Sequence, residues 1–178
     1  MNASKTERTL FTDSQIARRV EEVAREIAAR STHPEVAVPI LAGAFVFAAD
    51  LLRALAREGL HLETEFIWLR SYGRLHRPGE LQVLKGPGEA VNGRKVLLID
   101  GVLDHGTTMA RAKALLDEAG AVEVISAVAV VKSATQAKFT ADYTLFTAGV
   151  EFLYGYGMDL AGHGRGLPEI RIRNSPLS

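Results

Sequence analysis

Residues 95–116 read KVLLIDGVLDHGTTMARAKALL. After its lysine, residues 95–99 are a bare apolar run, the pattern of a strand covered on both faces. Asp100 stands at the carboxyl end of that strand, where open α/β sheets bind their ligands. Asp104 follows, and then Gly106, Thr107 and Thr108 open a helical pattern over residues 107–119, with Gly120 as its stop. A Gly-Thr-Thr turn at a helix N-terminus offers free N–H groups, hydroxyls and the positive end of the helix dipole, a favourable cradle for phosphate. Two acids beside such a cradle suit ribose hydroxyls, Mg²⁺ or general-base chemistry. The plainer reading of the same residues is that Asp100 and Asp104 cap a turn and Thr107 caps the helix. Rival phosphate motifs are absent: no GxxxxGK[ST] string occurs, no GxGxxG follows this strand, and Leu98 stands where a DxD phosphatase would carry its nucleophile.

Outward from this segment, strand and helix patterns alternate. Asp13 and Ser14 offer caps for an amphipathic helix over residues 14–30, with Ile16, Val20, Val23 and Ile27 at helical spacing. Residues 35–41 read as a strand in which Pro39 argues against a central place in the sheet. Residues 44–58 read as a helix stopped by Gly59, and residues 63–69 (ETEFIWL) as a strand. Residues 70–94 are rich in glycine and predict a long mobile loop with a short strand at LQVL. Residues 123–131, 142–147 and 151–154 read as further strands, and the tail RIRNSPLS as frayed. This alternation predicts one α/β domain with a mostly parallel sheet.

Composition agrees. The chain has 178 residues, 47% of them hydrophobic and 24% charged, with a formal net charge of zero. A chain of this length buries about 70% of its unfolded surface, enough for a core without staples. Zero net charge removes the footprint of a dedicated nucleic-acid binder. The sequence has no cysteine, which excludes disulfides, thiol nucleophiles, iron–sulfur clusters and Cys-type zinc sites. Its five histidines show no HExxH spacing. The opening MNASKTERTLF lacks the apolar stretch of a signal peptide, and the uncharged residues 36–49 are too few to span a bilayer. A soluble cytoplasmic protein with no membrane partner is expected.

Four segments together resemble one family. IDGVLDHGTT resembles the phosphoribosyl-diphosphate (PRPP) motif of type I phosphoribosyltransferases. PILAGAFVFAADLLRAL resembles the first strand–turn–helix of the hypoxanthine-guanine members, FIWLRSYG their strand leading into a mobile loop, and VVK with FLYGYGMDLAGHGRGLP their purine-binding end. The resemblance spans about residues 10–173. It implies the type I phosphoribosyltransferase fold over residues 1–178: a twisted, mostly parallel sheet flanked by helices. The core would occupy about residues 35–150, a small hood about residues 1–15 and 151–178, and the mobile loop about residues 70–94.

The resemblance also implies roles. Asp104 matches the general base at purine N7. Asp104, His105, Gly106, Thr107 and Thr108 match the 5′-phosphate loop. Asp100 matches an acid that meets the ribose hydroxyls directly or through Mg²⁺, and Asp159 a second metal-side acid near the purine. Lys132 matches the lysine donating to the exocyclic oxygen, Phe152 the aromatic stacked on the base, and Leu153 its edge contact. Ala42 and Gly43 match the pyrophosphate loop, whose peptide is often cis in the family. Arg165, Ser71 and Tyr72 match further residues at the pyrophosphate end. An ammonium donates and never accepts, so Lys132 favours a keto oxygen over an amino group. The implied reaction is salvage of hypoxanthine or guanine with PRPP to IMP or GMP and pyrophosphate, by a homodimer or homotetramer using Mg²⁺.

Three positions depart from the family pattern. Gly101 replaces its second acid, His105 a threonine, and Ala42 a common lysine. A lost charge-assisted hydrogen bond costs about 1.5–3 kcal/mol. The alternatives are therefore a catalytically weakened PRPP- or nucleotide-binding regulator of the same fold, or an enzyme for another base such as xanthine.

Overall fold

A computed structural model describes residues 7–71, 81–133 and 138–173. The helix at Asp13–Ala28 (α1) is preceded by Thr12, and Thr12 rather than Asp13 or Ser14 is its cap. The Thr12 hydroxyl accepts from the Gln15 N–H at 3.3 Å, while the Gln15 side chain accepts from the Thr12 N–H at 2.9 Å. This reciprocal box satisfies two groups at the helix start, which explains why the helix begins there.

Among the described residues the central sheet has seven strands. Val36–Leu41 (β2) and Lys95–Leu103 (β6) lie at its middle, followed by Glu123–Lys132 (β7) and Tyr143–Ala148 (β8). All four run parallel. On the other side of β2, Ile67–Ser71 (β4) pairs parallel with it and Leu81–Lys85 (β5) pairs antiparallel with β4. The two-residue strand Glu63–Thr64 (β3) pairs with the start of β2. The strand expected over residues 63–69 is thus two strands, and the one expected to end at Ile99 continues to Leu103.

Pro39 lies in a central strand, contrary to the sequence expectation. The Ala37 carbonyl accepts from the Glu65 N–H. Two residues on, Pro39 faces the same edge, where β3 has ended and β4 has not begun. Its missing N–H falls in that gap in the ladder, so no pairing is lost.

Alternate side chains feed two core layers. Ala37, Leu97, Ile99 and Ala127 face α1 and Phe45–Arg57 (α2), packing with Val23, Ile27, Phe47 and Leu51. Val36, Val38, Leu98 and Val128 face Thr107–Glu118 (α3), packing with Met109, Ala112 and Leu116. Coverage on both faces is why these strands read as unbroken apolar runs.

A second, antiparallel sheet joins the two ends of the chain. Glu7–Phe11 (β1) pairs with Ile170–Arg173 (β10), which pairs with Phe152–Tyr154 (β9). Part of the tail read as frayed is therefore the central strand of this sheet. The Phe11 and Phe146 rings stack with centroids 4.0 Å apart, tying this sheet to β8.

Candidate active site

The carboxyl ends of β2, β4, β6 and β7 meet residues of β9 and the turn after it around a cavity of about 640 Å³. Of the residues that the sequence marks as candidates, the cavity brings together Ala42, Gly43, Asp100, Asp104, Thr108, Lys132, Phe152, Leu153, Asp159 and Arg165. His105, Gly106 and Thr107 lie in the adjoining turn and do not line it. Ser71 ends β4, and Tyr72 lies outside the described residues. Trp68 and Arg70 also line the cavity, and sequence reasoning misses them. The signal that could have found them is strand alternation, which puts both on one face of FIWLRSYG.

Lys132 ends β7 and its Nζ lies 3.2 Å from Asp104 Oδ2. Side-chain exposure is 14% for Lys132 and 36% for Asp104, so the pair sits at the cavity wall, with Asp104 Oδ1 itself buried. An ammonium carries three donors, so Lys132 can hold Asp104 and serve a ligand acceptor as well. His105 Nδ1 lies 3.4 Å from Asp104 Oδ1, on a side chain 75% exposed.

The turn after Asp104 is shaped by Gly106, the helix N-cap, which has φ 78° and makes no side-chain cap bond. Thr107 is accordingly inside the helix and does not cap it. A left-handed φ and the approach of Phe139 within 2.9 Å of a notional Cβ both require glycine here. Among the described residues no N-cap side chain accepts from the first-turn N–H groups of α3, the condition for anion binding at a helix start.

Asp100 is buried, and its Oδ1 accepts from the Gly101 N–H at 2.7 Å. Burial pushes its carboxyl up to about 7, with the Gly101 hydrogen bond opposing the shift. A cationic ligand would restore the ionised form. Asp159 Oδ1 accepts from Arg165 Nη2 at 2.6 Å, Asp159 Oδ2 accepts from the Gly162 N–H at 2.8 Å, and Arg165 Nη1 donates to the Gly157 carbonyl at 2.7 Å. Among the described residues no group of three or more His, Cys, Asp or Glu side chains is placed to hold a metal. Asp100 and Asp159 on one cavity instead suit Mg²⁺ carried by a substrate, since that ion takes one or two carboxylates and fills its octahedron with phosphate oxygens and water.

The peptide joining Leu41 to Ala42 is cis, one bond before the Ala42-Gly43 peptide to which the sequence resemblance points. Position 101 also differs from a simple deletion of an acid. A Cβ on Gly101 would stand 2.8 Å from the Gly43 carbonyl oxygen, and one on Gly157 would stand 2.7 Å from the same atom. The Gly43 carbonyl is wedged between two glycines.

A second cavity of about 570 Å³ lies between α1, α2 and residues 165–168. There Arg57 pairs with Glu21, Arg53 pairs with Asp50, and the Tyr156 hydroxyl donates to Asp50 at 2.8 Å. The paired charges there satisfy one another.

Comparison with known proteins places the geometry in context. A model of the phosphoribosyl transferase domain matches residues 8–159. The hypoxanthine-guanine phosphoribosyltransferase of Aquifex aeolicus is 36% identical over 165 residues, covering 90% of this chain and 91% of that protein. The enzyme of the same name from Bacillus subtilis is 30% identical over 171 residues, covering 93% and 92%. The solved hypoxanthine phosphoribosyltransferase of Trypanosoma cruzi in complex with its product IMP superposes with a TM-score of 0.85 at 28% identity, covering 99% of this chain and 98% of that one.

Proposed function

Because the chain belongs to the hypoxanthine-guanine phosphoribosyltransferase family within the phosphoribosyl transferase domains, we propose that it converts a 6-oxopurine and PRPP into a nucleoside monophosphate and pyrophosphate. The observation that carries the reading is the Lys132–Asp104 pair facing the cavity beside the uncapped N-terminus of α3. A proton acceptor, a keto-oxygen donor and a phosphate cradle then adjoin one another.

In this reading the first-turn N–H groups of α3 and Thr108 hold the 5′-phosphate and fix the ribose. Phe152 stacks on the purine, and Lys132 donates to its exocyclic oxygen. The bond from C1′ to the pyrophosphate oxygen breaks as purine N9 bonds to C1′, through an oxocarbenium-like transition state. Asp104 accepts the N7 proton, so the nucleotide leaves neutral at the base. Asp100 and Asp159 would hold Mg²⁺, which when bound neutralises charge on the departing pyrophosphate. Asp100 meets the ribose side, and holding Mg²⁺ there would require its ionised form.

Within this reading the enzyme is cytoplasmic, since its phosphorylated substrates do not cross membranes unaided, and it is a homodimer or homotetramer. Among the described residues no helix is long and apolar enough to cross a membrane. The test is product formation from PRPP, Mg²⁺ and a panel of free bases. IMP or GMP should form, and Asp104→Ala should lower kcat by about 10²–10⁴-fold, the usual worth of a positioned acid–base group. PRPP-dependent thermal stabilisation without product from any base would instead favour a binding regulator.

A further inference from the structure

The pyrophosphate end of the cavity needs positive charge, and the residues around it do not supply that charge evenly. Among the described residues six charged side chains line the cavity: Asp100, Asp104, Asp159, Arg70, Lys132 and Arg165. Lys132 is engaged with Asp104. Arg165 is engaged by the Asp159 carboxylate and the Gly157 carbonyl. Ala42, in the turn after β2, brings none. Arg70 is exposed, and beyond the backbone ladder with β5 its side chain makes no hydrogen bond or ion pair with another described residue.

Register puts Arg70 beside that turn. Leu41, the last residue of β2, pairs with Trp68 in β4. Arg70 is two residues further along β4, level with Gly43 where the neighbouring chain has left the sheet. Leu69 between them is buried with the core layer under α3. Trp68 and Arg70 therefore face the opposite side, toward which residues 42–44 carry the chain into α2. Trp68, 41% exposed, flanks Arg70 on the cavity wall.

From this geometry we infer that Arg70 binds the pyrophosphate end of the sugar substrate, supplying from β4 the cation that Ala42 does not supply from the β2 turn. The guanidinium is a planar fork that meets two phosphate oxygens at once and stays charged at every relevant pH. Held on a strand rather than on a turn, it needs little reorganisation to meet the ligand. The inference rests on the phosphoribosyl-transfer reading above.

The experiment compares Arg70→Gln and Arg70→Lys with the unaltered chain, reading KM for PRPP, KM for hypoxanthine, and the inhibition constant of inorganic pyrophosphate. Melting curves confirm folding, which an exposed side chain without core contacts leaves intact. Arg70→Gln should raise the PRPP KM and the pyrophosphate constant about ten- to a hundredfold, with the hypoxanthine KM within about twofold, as expected for one lost charge-assisted contact. Arg70→Lys, which keeps the charge and loses the fork, should recover part of the loss. Unchanged PRPP and pyrophosphate constants in Arg70→Gln overturn the inference. So does an equal rise in the hypoxanthine KM, or an Arg70→Lys variant as impaired as Arg70→Gln. If the unaltered chain forms no nucleotide from any base, the functional reading itself fails, a result distinct from these.

Discussion

Restoring the family's second acid, by Gly101→Asp, separates an account based on sequence alone from one based on packing. On sequence alone the substitution adds a missing ribose or metal contact, worth about 1.5–3 kcal/mol, and should lower the PRPP KM about ten- to a hundredfold. The structure predicts the opposite. The new Cβ would lie 2.8 Å from the Gly43 oxygen, 3.2 Å from the Gly43 carbonyl carbon and 3.4 Å from Met158 Cγ. The carbonyl has no room to retreat, because Gly157 closes on it from another side. Overpacking of this kind costs about 1–3 kcal/mol. For a chain of this length, that lowers Tm by about 2–12 °C. The displaced atoms belong to the turn that would hold pyrophosphate, so PRPP binding should weaken along with stability. Thermal unfolding and the PRPP KM read both effects, and Gly101→Ala isolates the Cβ from the charge. An unchanged Tm with a tenfold lower PRPP KM would refute the packing argument.

Two further outcomes follow from the cavity. Asp100 is raised by burial from its ordinary 3.8 to about 7. Between those values the native state holds a proton that the unfolded chain releases, so this group's contribution is fully present below about 3.8 and lost as pH rises through about 7. The Tm of Asp100→Asn should therefore rise relative to the unaltered protein between pH 4 and pH 7 and stay offset above it; parallel Tm curves across that range would contradict the burial effect. Lys132→Gln should raise the 6-oxopurine KM about ten- to a hundredfold and leave the PRPP KM nearly unchanged, measured by varying each substrate in turn. An unaltered purine KM would remove Lys132 from base recognition.

Elements with strong local patterns are legible in the sequence. Ile16, Val20, Val23 and Ile27 declare α1, and the unbroken apolar runs of β6 and β7 declare a sheet covered on both faces. The turn from Asp104 to Thr108 is legible for the same reason: its chemistry lies within five consecutive residues. The misreadings share a cause. Pro39 in mid-sheet depends on where β3 stops and β4 starts, and the strand at Ile170–Arg173 depends on partners at Glu7–Phe11 and Phe152–Tyr154. Neither dependence is visible in a local window, because ladder partners are distant along the chain.

Residue type and spacing by themselves determined the α/β class, the apolar strand that carries Asp100 and the glycine turn that opens α3, since backbone geometry ties those features to consecutive positions, although Asp100 lies three residues inside β6 and not at its end. Only the tertiary structure decided that Lys132 stands against Asp104, that Gly101 makes room for the Gly43 carbonyl, and that Arg70 faces the cavity. Those facts arise from the register of parallel strands and from contact between segments far apart in sequence, which no periodicity within one segment encodes.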